Sequence, residues 1–195
     1  AKLLTTSPRL SATPNNLKVI RECDIIYTLV ATPSLKDGSY DVSNVWKVVE
    51  DLKKAGKKNV DGKAFVVGCT TNPGDCDEFQ KELKDIGVDV FYNPEFIAQG
   101  TIIKDLRTAD MVLIGGKRND TYDQLCEIYN RIQHIPPKIS IMSTTAAELV
   151  KLAVNCFLTT KISYANMVGE VMALGGMEDE IPLVLGAIGD DSRVG

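Results

Sequence analysis

The chain has 195 residues, 44% of them hydrophobic, and its 22 basic and 26 acidic side chains leave a formal net charge of −4. This is globular composition, long enough for one domain plus an appended element, and it offers no basic footprint for nucleic acid. No apolar run approaches the roughly 20 residues that span a bilayer, and the start at Ala1 lacks the basic-then-apolar pattern of a signal peptide, so a soluble cytoplasmic protein without membrane attachment is expected.

The first apolar run, Asp24–Val30, ends in Ala31-Thr32-Pro33 and reads as a buried strand. A helix follows over about Val42–Ala55, with Val45, Val48, Val49 and Leu52 on one face and a solvated end at Lys53-Lys54 and Lys57-Lys58. Ala64–Cys69 is the next strand, a helix covers about Asp75–Ile86, and Val88–Phe91 is a third strand before the turn at Asn93-Pro94. Met111–Ile114 is a fourth strand, followed by a helix over about Thr121–Ile132. Strand and helix alternate, which argues for an α/β fold with a largely parallel sheet. A long helix from about Thr144 to Gly175 and a short one over about Glu178–Ile188 complete the chain.

This order reads as the later part of a doubly wound dinucleotide-binding domain over residues 1–142, with a helical segment over 143–195. Two strand-helix units with a G-x-G-x-x-G turn, about 60 residues at 30 per βαβ step, are expected ahead of Ala1. The long helix spreads Leu149, Leu152, Ala153, Phe157, Ile162, Met167, Val168 and Val171 around much of its surface. That breadth fits contacts on two sides or a core helix of one subunit. Cys23, Cys69, Cys76, Cys126 and Cys156 are scattered, without the close pairs of zinc sites, and read as reduced packing residues, so no metal is expected.

Several residues are placed for chemistry. Glu95 stands beside a proline-fixed turn, where burial against Pro94 and Phe96 would raise its pKa towards that of a general base; an ordinary turn carboxylate is the plain alternative. Thr70 follows a strand, the position at which loops of open α/β sheets meet ligand, although a strand-end threonine also bonds locally. Lys151 and Asn155 lie one helical turn apart and can donate jointly to one oxygen. Asn155 is an amide amid Ala153, Val154, Cys156 and Phe157, surroundings in which it needs a partner, whereas Lys151 alone would read as a solvated cation.

Taken in order, Val30-Ala31-Thr32-Pro33, Asp37-Gly38-Ser39-Tyr40-Asp41, Cys69-Thr70-Thr71-Asn72-Pro73-Gly74, Asn93-Pro94-Glu95-Phe96-Ile97-Ala98-Gln99-Gly100, the Lys151/Asn155 helix and Ile188–Gly195 resemble the UDP-glucose/GDP-mannose dehydrogenase family, most of all its UDP-glucose 6-dehydrogenase group. The resemblance implies a Rossmann-like domain followed by the long central helix of a helical dimerisation domain, and hence a homodimer. It implies NAD as cofactor, a nucleotide-sugar substrate such as UDP-glucose, and oxidation of the sugar C6 alcohol to a carboxylate in two hydride transfers through a thioester on an enzyme cysteine. Thr70 and Glu95 match the acid/base pair that holds a water, and Lys151 and Asn155 match the oxyanion donors. Ala31, Thr32, Pro33, Thr70 and Gln99 match NAD contacts. Glu95, Phe96, Ile97, Lys151, Asn155 and Arg193 match the substrate site, Arg193 reaching that of the neighbouring subunit.

The sequence also departs from the family. Gln99 stands where a glutamate is common, and Cys69 where a serine is usual. The glycine-rich nucleotide turn and the nucleophilic cysteine have no counterpart in these residues, so the chain alone is expected to be inactive. Neighbouring readings are a dehydrogenase of GDP-mannose or of a UDP-N-acetylhexosamine, and a non-catalytic oligomerisation module. His134 and Lys104-Asp105-Leu106-Arg107 match nothing catalytic, and the latter reads as a surface turn.

Overall fold

The computed structural model describes residues 10–97 and 100–194. In chain order these form α1 (Asn16–Glu22), β1 (Ile25–Thr28), α2 (Ser43–Ala55), α3 (Lys57–Val60), β2 (Ala64–Val67), α4 (Asp75–Leu83) with a 3-10 turn over Lys84–Ile86, β3 (Asp89–Tyr92), α5 (Ile102–Arg107), β4 (Met111–Gly115), α6 (Asp120–Ile132), β5 (Lys138–Met142), α7 (Thr144–Leu174), a 3-10 turn over Glu178–Glu180, and α8 (Ile181–Gly189). The fold is α/β with a mostly parallel sheet. Two compact units divide between Val150 and Lys151, inside α7.

Helix boundaries follow local chemistry. Val45, Val49 and Leu52 form the fully buried stripe of α2, and Gly56 ends it at φ +75°. Asp75, Asp77 and Glu78 crowd the first turn of α4, where negative charge suits the helix dipole. Asn119 caps α6 by accepting from the Tyr122 N–H. α7 runs for 31 residues and closes at Gly176, φ +69°, with the Met177 N–H reaching back to Met172 O. Among the described residues no helix is long and apolar enough to cross a membrane.

The sheet order is β1-β2-β3-β4-β5. β1, β2 and β3 are parallel, in a register that aligns Thr28, Val67 and Tyr92 at their carboxyl ends. β4 and β5 are parallel to each other but run against β3 and meet it at one pair, Tyr92↔Gly115. The second strand pair therefore projects past the carboxyl end of β3, and the chain leaves β5 beside that end. One sheet face carries Phe65, Val67, Val90 and Tyr92 against α2 and α4; the other carries Val66, Phe91, Val112 and Ile114 against Tyr122 and Leu125 of α6.

Three features differ from the sequence reading. A fifth strand, β5, occupies Lys138–Met142, and α1 and α3 add short helices. Lys104–Arg107 is helical, within α5, because Thr101 O accepts from the Asp105 N–H and Lys104 O from the Thr108 N–H.

Candidate active site

The loops after β1, β2 and β3 emerge side by side. The Gly68 N–H donates to Thr28 O at 2.9 Å, the Asn93 N–H to Val67 O at 2.9 Å, and the Glu95 N–H to Gly68 O at 3.4 Å. Gly68 has to be glycine, because a Cβ there would lie 2.4 Å from Cε1 of Tyr27 and 2.7 Å from Cδ2 of Leu29. That close approach lets the Tyr27 hydroxyl reach Asn93, 2.6 Å from its carbonyl oxygen and 2.7 Å from Oδ1. Tyr129 of α6 donates to the same Oδ1 at 2.8 Å, and Asn93 Nδ2 donates to Leu113 O at 2.8 Å. Asn93 is fully buried, so the Asn93-Pro94-Glu95 turn is anchored to β1, β4 and α6 through one side chain.

Glu95 itself is exposed, which corrects the expectation of partial burial. Pro94 takes the buried position, and Glu95 lines the mouth of a cavity of about 480 Å³ together with Tyr27, Leu29, Asn93, Ile97 and Tyr129. Burial first, and then Tyr129 and Glu95, push the Tyr27 phenol well above its ordinary range, although the residue as a whole stays 41% exposed. Burial likewise raises the Cys69 thiol, with the Glu95 charge adding to it. Cys69 is thus a packed neutral thiol beside Glu95.

Thr70 is half-buried immediately after Cys69. Ala31, Thr32 and Pro33 leave β1 at the same edge, with Ala31 O accepting from Asn44 Nδ2 at 3.0 Å and Pro33 O from the Asp41 N–H at 2.9 Å. The Asp37–Asp41 motif is a reverse turn with Gly38 at φ +87°, closed by the Ser34↔Tyr40 bridge. Tyr40 exchanges two hydrogen bonds with the Asn72 side chain, at 2.8 and 3.0 Å, and so joins the loop after β1 to the loop after β2. Phe96 is half-buried against the core and Ile97 borders the cavity; Gln99 lies outside the described residues.

The fold thus brings Ala31–Pro33, Thr70, Glu95, Phe96 and Ile97 to one sheet edge. Lys151, Asn155 and Arg193 belong to the second unit. Lys151 is only 9% exposed, whereas Asn155, four residues on along α7, is exposed together with Ala153, Cys156 and Phe157. The inference that Asn155 needs a partner because its surroundings are apolar therefore does not hold within this chain, since those neighbours are themselves open to solvent. Arg193 is also exposed and pairs with Asp191 through two bonds of 2.9 and 2.6 Å, which lower the Asp191 pKa to about 2.

Sequence reasoning missed Asn93 as an anchor, and it missed Glu148. This carboxylate of α7 is fully buried, with Oε1 accepting from the Thr71 hydroxyl at 2.8 Å and the Cys76 N–H at 2.9 Å, and Oε2 from the Gly74 N–H at 2.7 Å. A charged residue inside Ala146-Ala147-Glu148-Leu149-Val150 was the available signal. Among the described residues no cluster of three His, Cys, Asp or Glu side chains could hold a metal.

Comparison with known proteins places this geometry. Residues 2–133 match the NAD binding domain of the UDP-glucose/GDP-mannose dehydrogenase family, and residues 145–195 match its central domain. The chain is 30% identical over 196 residues to a UDP-glucose 6-dehydrogenase of Pseudomonas aeruginosa, covering 96% of this chain and 42% of that protein. It is 33% identical over 189 residues to the UDP-glucose 6-dehydrogenase of Rattus norvegicus, covering 90% and 37%. A UDP-glucose dehydrogenase structure from Pyrobaculum islandicum superimposes with a TM-score of 0.88 at 28% identity, over 98% of this chain and 44% of that one. A ternary complex of GDP-mannose dehydrogenase from Pseudomonas aeruginosa gives 0.85 at 27%, over 94% and 43%. The chain therefore spans less than half the length of these relatives. With family models covering nearly all of its residues in the expected order, the chain belongs to the UDP-glucose/GDP-mannose dehydrogenase family.

Proposed function

We propose that this chain is part of an NAD-dependent dehydrogenase that oxidises the C6 alcohol of UDP-glucose to a carboxylate. The observation that carries the reading is the common edge formed by three parallel strand exits, where Ala31–Pro33, Thr70 and Glu95 emerge together. Ligands of open α/β sheets bind beyond such carboxyl ends. Ala31 and Pro33 are exposed and Thr32 is half-buried at this edge, which suits one flank of a dinucleotide, and no glycine-rich turn for its pyrophosphate occurs among the described residues. Ala31, Thr32, Pro33, Thr70 and Gln99 are the proposed contacts. NAD supplies the hydride acceptor when bound.

The chain's own residues supply proton handling and charge stabilisation. Glu95, exposed where it lines the cavity, is the proposed acceptor of a proton from the substrate hydroxyl or from a water oriented by the Thr70 hydroxyl. Lys151 and Asn155, at four-residue spacing on α7, donate to the oxygen on which negative charge develops, each such donor lowering the barrier by roughly 3 kcal/mol. Phe96, Ile97 and Arg193 complete the proposed sugar-nucleotide contacts. The likeness to a GDP-mannose dehydrogenase supports GDP-mannose as the second candidate substrate.

The test is NADH formation by the enzyme that carries this chain, with UDP-glucose, GDP-mannose and a UDP-N-acetylhexosamine compared. UDP-glucose is expected to give the highest kcat/KM, and Thr70→Ala and Lys151→Ala each to lower turnover by a factor of about 100. The 195 residues alone are expected to form no NADH. Unchanged turnover in both variants, or no reduction of NAD with any of the three sugars, would overturn the proposal.

A further inference from the structure

We propose that Glu148 is a positioning residue of this site: its buried carboxylate clamps the Thr71–Cys76 segment to the N-terminal part of α7 and thereby holds the Thr70 hydroxyl in its working orientation. The inference rests on the reading of Thr70 given above. Glu148 has no exposed surface, and both carboxylate oxygens are engaged by three donors from a single stretch of chain, Thr71, Gly74 and Cys76. That stretch opens α4. Its cap position is Gly74, at φ +100°, which has no side chain to satisfy the free N–H groups of the first turn. Glu148, 74 residues away in sequence, does that work in its place.

An N-terminus can be capped by a local Ser, Thr or Asp without burying a charge. A fully buried carboxylate is costly unless every lone pair is used, and removing its partners is costlier still, so this arrangement specifies one geometry rather than merely adding stability. What it specifies is the path of the loop. Among the described residues no backbone-to-backbone hydrogen bond outside the helices and strands holds Thr70 or Thr71, so side chains tether the loop here, and the Thr71 hydroxyl bond to Glu148 is one such tether directly beside Thr70. The partner helix answers in kind, as the hydroxyls of Thr144 and Thr145 on α7 both donate to Asp77 of α4. The two helix starts are interlocked with the Thr70 loop between them and the β2 strand end.

The claim separates from a purely structural role through a double-mutant cycle in the enzyme that carries this chain. Glu148→Gln replaces one acceptor oxygen by a donor, so at least one of the three bonds is lost. It is expected to lower kcat by about 100-fold, as misplacement of a reacting group by an ångström does, with KM changed by less than about twofold. In a Thr70→Ala background the same substitution is expected to change kcat by less than about twofold, because the group it positions is already gone. Thr71→Val, which deletes only the hydroxyl bond, is expected to behave likewise and carries the test if Glu148→Gln does not fold. Hydrogen exchange of the Gly74 and Cys76 amides should accelerate in Glu148→Gln while the β2 amides keep their protection.

If Thr70→Ala lowers turnover and Glu148→Gln multiplies that loss in full, the positioning role is wrong and the reading of Thr70 stands. If Thr70→Ala leaves turnover unchanged, the reading of Thr70 fails and the positioning role fails with it. Unchanged exchange at Gly74 and Cys76 overturns the clamp irrespective of activity.

Discussion

Asn93 uses its entire side chain: two tyrosine hydroxyls lie within hydrogen-bond reach of Oδ1, and Nδ2 donates to Leu113 O. Truncation would leave the buried Leu113 carbonyl and the Tyr129 hydroxyl without these partners. Asn93→Ala is therefore expected to destabilise the protein by about 3 kcal/mol, since each unsatisfied buried group costs about 1–3 kcal/mol. Urea unfolding measures this, and a loss below about 1 kcal/mol would mean that the network relaxes without it. The sequence drew attention to this turn through Glu95, a carboxylate beside a proline, and not through Asn93. An asparagine before proline reads as turn chemistry, while the tyrosines that make it an anchor stand 66 and 36 residues away. The burial of Glu95 was misread for a related reason: apolar neighbours in sequence do not say which member of Pro94-Glu95-Phe96 faces inward.

Among the elements, the α4/α7 interlock has a pH signature. Hydrogen bonds from Thr144 and then Thr145 hold the Asp77 carboxyl below its ordinary value. A depressed carboxyl contributes stability that is fully present above the unfolded pKa and is lost as pH falls through the folded one, so this contribution fades on acidification below about pH 4. Asp77→Asn is expected to flatten the acid limb of a melting-temperature profile below that pH and to leave its shape at neutral pH intact. An acid limb as steep as that of the unsubstituted protein would refute the assignment.

The second prediction at this scale concerns α7. Beyond Lys151 it exposes Phe157, Tyr164, Met167, Val171 and Leu174, a stripe at spacings of seven, three, four and three that suits pairing with another helix. We propose a two-fold homodimer along this stripe. Met167→Glu or Val171→Glu is expected to shift sedimentation at micromolar concentration from dimer towards monomer. A folded, soluble monomer before substitution would refute the interface. Helices with strong caps or long stripes, such as α2, α6 and α7, were legible in the sequence almost to their ends. α5 was not, because six residues carry no periodicity and Ile102 and Ile103 both face solvent. β5 escaped because its five residues are at most half-buried and follow two prolines.

For the whole molecule, the alternation of strands and helices gave the α/β class, and the ordered motifs gave the family. The sequence said nothing of the reversal between β3 and β4. Direction is set by pairing across the sheet, and an apolar run such as Met111–Ile114 looks the same whichever way it points. The reversal divides the sheet unequally. β1, β2 and β3 share four residue pairs at each junction and β4 and β5 share five, but β3 and β4 share only Tyr92↔Gly115. A sheet stitched at one pair behaves as two cooperative blocks with separate free energies of local unfolding. Native-state hydrogen exchange should sort the strand amides into two protection classes that divide at Gly115, and a single class would show that face packing welds the blocks together. Asn93 donates to Leu113 across this seam, and Pro94–Ile97 run along β4 just beyond it. Parting of the blocks on warming would strip the Glu95 turn of its Leu113 anchor while the Thr70 loop keeps an intact β2 behind it, so the enzyme that carries this chain is expected to lose the proposed activity at a lower temperature than it loses its fold.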